Sequence, residues 1–134
     1  MSREIKFRAW NNRLKVMSDY VSAIQNGDTQ GTPSSVNVVV KGKQETWNIQ
    51  HDDVTLEQYS GLKDKSGKKI YEGDIDLVDK DMYGKIIWKK GGFWIKWRGR
   101  EKPFEEFLTP YMDDKLNIIG NIHENPELLE AIYD

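Results

Sequence analysis

Aromatic and basic side chains alternate between residues 88 and 102 of this chain. On small β-barrels, flat rings stack on the bases of single-stranded nucleic acid, and Lys and Arg side chains follow its phosphates. The pattern therefore predicts a binding surface formed by Lys89, Lys90, Trp94, Lys96, Arg98 and Arg100. Trp94 is the ring that we expect to face outward. The alternative is that Trp88 and Trp97 fill a core while the cations only solvate the outer face of a sheet.

Carboxylates form the second group that could carry chemistry. Asp74 and Asp76 are two residues apart on a predicted strand, so their side chains point the same way. Such a pair could hold Mg²⁺, but the sequence offers no identifiable third ligand. Asp at turns and strand ends also accepts hydrogen bonds from local backbone N–H groups. We therefore predict no metal site, and we keep a divalent-metal enzyme acting on nucleotides as an alternative.

Catalysis by histidine or cysteine has little support in this sequence. The two histidines, His51 and His123, are far apart and show no spacing typical of a triad or a ligand set, and the chain has no Cys. We expect no catalytic residues and no cofactor, and hence a protein that is not an enzyme.

Bulk properties set the class of protein. A chain of 134 residues is expected to form one domain, and without Cys it has no disulfides. No apolar run approaches the roughly 20 residues that span a bilayer, and the N-terminus lacks the apolar segment of a secretory signal. We expect a soluble protein of the cytoplasm that does not interact with membranes.

The net charge of −2 is unevenly distributed. Residues 84–102 carry seven basic residues and one acidic residue, whereas residues 103–134 carry eight acidic residues and one basic residue. This asymmetry fits a nucleic-acid surface beside an acidic tail. It equally fits basic and acidic segments that pair within the molecule or between subunits.

The predicted elements are mostly strands that are joined by Gly-containing turns. Period-2 alternation predicts a half-buried strand over residues 4–10, which returns through Leu14 and Val16. Further strands are predicted at residues 36–50 (a hairpin), 54–59, 75–78, 84–89, 92–98 and 116–122. Residues 19–25 fit a helix or an extended segment, 26–35 a loop, and 103–111 a short helix. Asn125 and Pro126 predict the start of a terminal helix.

Four sequence blocks in order resemble the YopX family of bacteriophage and prophage proteins. They are Ile5–Trp10, Lys15–Met17, the stretch from Gln58 to Ile75, and Ile118–Leu129. The family usually has Asp where this chain has Asn11, and Tyr is commoner than His at position 123. The resemblance covers almost the whole chain.

The resemblance implies a mainly β (α+β) fold with a small antiparallel, SH3-like barrel in the C-terminal half. N-terminal β-hairpins (residues 1–57) precede this barrel subdomain (residues 58–134), which ends in a short helix. The resemblance also implies an oligomer, but it implies no activity or catalytic residue. We therefore expect a phage or prophage accessory protein that self-associates and works by binding, with single-stranded nucleic acid as an alternative partner.

Overall fold

The computed structural model describes residues 4–28, 31–79, 82–99, 102–112 and 114–133. The fold is mainly β, as predicted, with antiparallel sheets, one of which curls into a half-barrel, and one short α-helix. Within these residues, no helix is long and apolar enough to cross a membrane. The chain divides into two compact units, Glu4–Gln58 and a second that contains Tyr59–Asp134.

The first unit contains five strands and the beginning of a sixth. They are β1 (Phe7–Asn11), β2 (Val16–Met17), β3 (Tyr20–Asn26), β4 (Pro33–Val40), β5 (Lys43–Asn48) and β6 (Val54–Lys63). β1 lies between β2 and the start of β6, and β3, β4 and β5 form a separate three-stranded sheet. The β4–β5 turn places Lys41 (φ 50°) and Gly42 (φ 80°) in the left-handed region, as two-residue type I′ hairpin turns require.

Strand β1 is buried on both faces, so the prediction of a half-buried strand was wrong. Arg8, Ala9, Trp10 and Asn11 are all buried. The alternation gave the wrong burial for this strand because a charged side chain is buried here. Arg8 Nε donates to Oε1 of Glu57 at 3.0 Å, and Glu57 lies directly opposite Arg8 on β6. Pairing of this kind is what allows a buried guanidinium in a strand.

The core of the first unit is small and rich in β-branched residues. Ala9, Val36, Val38 and Trp47 are its fully buried members. Of residues 19–25, which the sequence left undecided, residues 20–25 are extended in β3. The loop predicted at 26–35 is shorter, because β4 already begins at Pro33; residues 29 and 30 lie outside the described ranges.

The second unit contains the rest of β6, followed by β7 (Lys69–Tyr71), β8 (Asp74–Asp79), β9 (Met82–Lys89), β10 (Gly92–Arg98), β11 (Phe104–Phe107), β12 (Ile118–Asn121) and α1 (Pro126–Tyr133). Its five-stranded antiparallel sheet has the order β11-β10-β9-β8-β12, and β7 pairs with β6. The core consists of Ile70, Ile86, Ile95, Trp97, Leu116 and Ile118. Helix α1 begins at Pro126, as predicted. The side chain of Asn125, just before it, accepts a hydrogen bond from the backbone N–H of Asn121 at 3.1 Å.

The predicted helix at residues 103–111 is wrong. The segment forms strand β11 and, after it, a short 3₁₀-helix over Pro110–Met112. The spacing of Phe104 and Phe107 fits a helix, but pairing with β10 prevails and sends the two rings to opposite faces of the sheet. The prolines at 103 and 110 leave six residues between them, which suits a short strand better than a helix.

The Gly-punctuated segment between β6 and β8 is organised by one carboxylate. Asp64 Oδ1 accepts hydrogen bonds from Ser66 N (2.9 Å), Ser66 Oγ (2.8 Å) and Lys68 N (2.9 Å). Its Oδ2 accepts the N–H of Ile118 at 3.0 Å, at the start of β12. The side chain therefore closes the turn that follows β6 and also ties that turn to a strand 54 residues further along the chain.

Candidate functional site

The β9–β10 hairpin separates the predicted binding residues from the core. A turn of Lys90 (φ 50°) and Gly91 (φ 77°) joins the strands and fixes their register. Ile95 and Trp97 point into the core, and the alternate positions form a second face. We call this second face the Trp94 face; it comprises Tyr83, Lys85, Ile87 and Lys89 of β9, Trp94, Lys96 and Arg98 of β10, and Glu105 and Phe107 of β11. Tyr83, opposite Arg98, is 1% exposed, so the face is buried at that end.

Trp94 lies on the predicted side of the sheet but is half-buried. The ring of Phe107, directly opposite on β11, is 4.0 Å from it between centroids and tilted by 30°. On its β9 side, Lys89 Nζ lies 4.5 Å from the centroid of the indole. Because Trp94 contacts both a ring and a cation and is half-buried, it organises the face rather than offering an open surface for stacking.

Phe107 is the more open ring, with 57% of its surface exposed. It lies on β11, the edge strand of the five-stranded sheet. One side of the ring contacts Trp94. This contact between aromatic rings is favourable, and it compensates for the side-chain entropy that Phe107 loses when its ring is held in place. Phe107 therefore combines a supported ring with accessibility, which Trp94 lacks.

Glu105 lies among the lysines of the Trp94 face. It is directly opposite Lys96 in the β10–β11 register and forms an ion pair with Lys89. The hydrogen bond from Lys89 holds the pKa of Glu105 below its usual value, and the charges of Lys89, Lys96 and Lys90 act in the same direction. Three ammonium groups therefore stabilise the charged form of this carboxylate.

The other face of β11 differs in chemistry. Phe104, which is 48% exposed, lies opposite Trp97 with 6.4 Å between ring centroids. Glu106 accepts a hydrogen bond from Trp97 Nε1 at 2.8 Å. Phe104 and Glu106 therefore repeat the Phe–Glu composition of the Trp94 face on the opposite side of the same strand, without its lysines.

The remaining predicted residues have mixed outcomes. Lys90 lies exposed in the hairpin turn, Lys89 and Lys96 are half-buried, and Arg100 lies outside the described residues. Trp97 is a core residue, as the alternative interpretation expected, but Trp88 is 50% exposed and packs edge-on against Phe93 at 4.9 Å. The expectation that Trp88 fills the core was wrong.

The paired carboxylates Asp74 and Asp76 are buried, each with 1% of its surface exposed. Asp74 Oδ2 accepts the N–H of Tyr71 at 2.8 Å, and Asp76 Oδ1 accepts the N–H of Asn117. Burial raises the pKa of Asp76, despite that hydrogen bond. Asp74 therefore accepts from a local backbone group, the ordinary role of Asp at a strand end. Asp76 instead ties β8 to a residue 41 positions further along the chain.

Other possible chemistry is dispersed in the described part of the chain. Within those residues, no three His, Asp or Glu side chains are grouped as a metal ion would require. His51 is exposed, and His123 is half-buried just after β12, where its backbone N–H donates to Asn121 Oδ1 at 2.9 Å.

Sequence reasoning missed Phe107 and Glu105, because it placed them on a helix. On a helix, the neighbours of Glu105 would be the residues three and four positions away along the chain. They would not be the lysines of β9 and β10. The signal that could have found them is the short Pro-bounded segment, directly after a strand whose outer face is basic.

The fold and the site define a mainly β, antiparallel protein with an aromatic and basic surface on one sheet. The chain belongs to the YopX protein family, whose model matches residues 6–130. It is similar to the crystal structure of protein EF1440 from Enterococcus faecalis, with 28% sequence identity and a TM-score of 0.65. That similarity covers 96% of this chain and 99% of the other. A comparison with curated proteins gives no match.

Proposed function

We propose that this chain is a phage or prophage accessory protein of the host cytoplasm that acts by binding rather than by catalysis. Its binding surface is the Trp94 face, and the ligand whose chemistry fits that surface is single-stranded nucleic acid. The observation that carries the proposal is the stacked Trp94–Phe107 pair set among Lys85, Lys89, Lys96 and Arg98, with Glu105 as the one carboxylate that the described residues place on this face.

The chemistry supports a polyanion with planar groups. Rings supply a stacking contribution of roughly 1–3 kcal/mol per base, which does not depend on the base sequence. Neighbouring strands of a sheet lie about 5 Å apart, and their long Lys and Arg side chains can follow a flexible phosphate backbone. A single strand suits the surface because its bases are unpaired and can turn toward the rings.

Fluorescence anisotropy with a labelled oligothymidylate tests this function. We expect binding at about 50 mM salt that weakens steeply as salt increases, because each phosphate contact releases counterions. The Lys96→Ala variant should bind more weakly and show a smaller salt dependence. Lys43→Ala, which removes an exposed lysine of β5 in the first unit, is the matched control and should bind like the wild type. Absence of binding by the wild type at low salt would refute the proposal.

Self-association is the second candidate, and edge strand β11 favours it. Phe104 and Phe107 expose about half of their surface on opposite faces of this strand. An edge strand also presents backbone N–H and C=O groups that a second copy of the chain can pair with. The acidic C-terminal segment of one copy and the basic hairpin of another would add charge complementarity.

Sedimentation velocity on the purified wild type and on the Phe104→Ala/Phe107→Ala double variant tests self-association. We expect the wild type to form an oligomer that the double variant loses. A wild type that remains monomeric at micromolar concentration would remove this candidate.

We also propose that the C-terminal half is an SH3-like barrel. Its short antiparallel strands and tight turns support this assignment.

A further inference from the structure

The Trp94 face has an internal arrangement that specifies how a nucleic acid would engage it. Trp94 itself is covered by Phe107 and Lys89, whereas the outer side of Phe107 is open at the sheet edge. Glu105 pairs with Lys89 and lies opposite Lys96, two residues away from Phe107 on the same face. The carboxylate of Glu105 pairs with Lys89, has Lys96 directly opposite, and lies beside an open ring. It occupies the position that a phosphate would take if a base stacked on that ring.

We propose that Phe107 is the base-stacking residue and that Glu105 is an internal competitor that occupies the phosphate position beside it. This inference rests on the proposed function and goes beyond it, because it replaces Trp94 by Phe107 as the contact residue. A bound strand stacks one base on the open side of Phe107. Its phosphate then displaces Glu105 and is held by Lys89 and Lys96.

Three features of the pair support a competitor rather than a permanent structural bridge. Lys89 and Glu105 are only partly buried, with 33% and 28% of their side chains exposed, so water and a ligand can reach them. A carboxylate carries one negative charge and can be replaced on an ammonium group by a phosphate of the same charge. Lys89 also contacts the indole of Trp94, so it stays in place when its partner is exchanged.

The sheet supplies matched controls on one four-residue strand. Glu105 and Phe107 lie on the Trp94 face, whereas Glu106 and Phe104 lie on the other face. Glu105→Gln and Glu106→Gln change the net charge of the protein identically, and Phe107→Ala and Phe104→Ala remove the same ring. A difference in binding within each pair of variants is therefore due to the face on which the residue lies. It is not due to the overall charge or to the loss of an aromatic residue.

Anisotropy titrations with labelled oligothymidylate, with inorganic polyphosphate as competitor, test the inference. Glu105→Gln should increase affinity about 5-fold at low salt, because binding no longer has to break one ion pair between unit charges in water. It should also steepen the dependence of log K on log salt by about 0.7, the value for one phosphate of a single strand. Glu106→Gln should leave the slope unchanged.

Phe107→Ala should weaken oligothymidylate binding at least 5-fold, the lower limit for one stacked base. It should leave competition by polyphosphate, which has no bases, unaffected, and Phe104→Ala should bind like the wild type. Circular dichroism melting curves of each variant confirm that it is folded.

The outcomes separate the two proposals. If the wild type binds but each variant behaves like its control on the opposite face, the competitor inference is wrong and the proposed function stands. If neither the wild type nor Glu105→Gln binds oligothymidylate at low salt, both are refuted.

Discussion

Asp64 is predicted to be the carboxylate on which the stability of the second unit depends most. The perturbation is Asp64→Asn, which keeps the shape of the side chain and replaces one carboxylate oxygen by an NH₂ group. Placing the amide oxygen at the Oδ1 position retains the three donors from Ser66 and Lys68. The NH₂ group then faces the N–H of Ile118, which is buried and now lacks an acceptor.

The magnitude follows from these contacts. A hydrogen bond to a charged group contributes about 1.5–3 kcal/mol, and a buried donor left without a partner costs about 1–3 kcal/mol. The remaining three hydrogen bonds also weaken, because they no longer involve a charge. We therefore expect a loss of about 3 kcal/mol or more in the free energy of unfolding at pH 7, measured by urea denaturation with tryptophan fluorescence.

The pH dependence gives this prediction a sign. Burial alone would raise the pKa of Asp64, but the hydrogen bonds from Ile118, Ser66 and Lys68 outweigh it and the pKa lies below its usual value of 3.8. Its stabilising contribution is therefore complete above about pH 4 and is lost as the pH falls through the folded-state pKa. The deficit of Asp64→Asn relative to the wild type should shrink in acid.

Asp76→Asn is the matched control, with the opposite sign. Burial raises the pKa of Asp76 above 3.8, so the folded state keeps a proton that the unfolded state has released. Wild-type stability from this group falls as the pH rises through that window, and the variant lacks this fall. At pH 7 we expect a change of less than about 1 kcal/mol, because an amide oxygen can still accept from Asn117. A larger loss for Asp76→Asn than for Asp64→Asn would refute the reasoning.

Two further predictions concern packing and charge. Gly84→Ala should destabilise the protein by about 1–3 kcal/mol in urea titrations, because a Cβ there would lie 2.6 Å from Ile95 Cδ1. Gly92→Ala is its control and should cost less, since its nearest new contact is at an ordinary 3.5 Å. Arg8→Ala should cost about 3–5 kcal/mol, because it leaves the buried carboxylate of Glu57 without that ion pair. The double variant that also replaces Glu57 by Gln should recover part of this loss, and an additive result would contradict the coupling.

Local patterns in the sequence were sufficient for most strands and for the terminal helix. The strand predicted over residues 92–98 is β10, and Trp94 lies on the side of the sheet away from the core residues Ile95 and Trp97. The Lys-Gly turns determine where two hairpins reverse, because a two-residue turn needs positive φ at both central positions. These features depend on residues that are close together in the chain, so they can be predicted from a single sequence.

The errors come from contacts between distant residues. The burial of Arg8 depends on Glu57, which is 49 residues away, and the role of Asp64 depends on Ile118, which is 54 residues away. Strand β11 exists because β10 offers a free edge, a fact that the local spacing of Phe104 and Phe107 cannot reveal. Because the candidate site includes β11, the sequence could identify its cations but not the ring and the carboxylate that complete it.

The position of Phe107 makes the two proposed kinds of binding compete with each other. A second copy that pairs with β11 would cover the sheet edge and with it the open side of the Phe107 ring. A base stacked on Phe107 would equally obstruct a strand that approaches the same edge. If both kinds of binding occur, they are coupled, and each must weaken the other by the same factor. The contact residues of the two functions therefore cannot be assigned independently, because one short strand carries both.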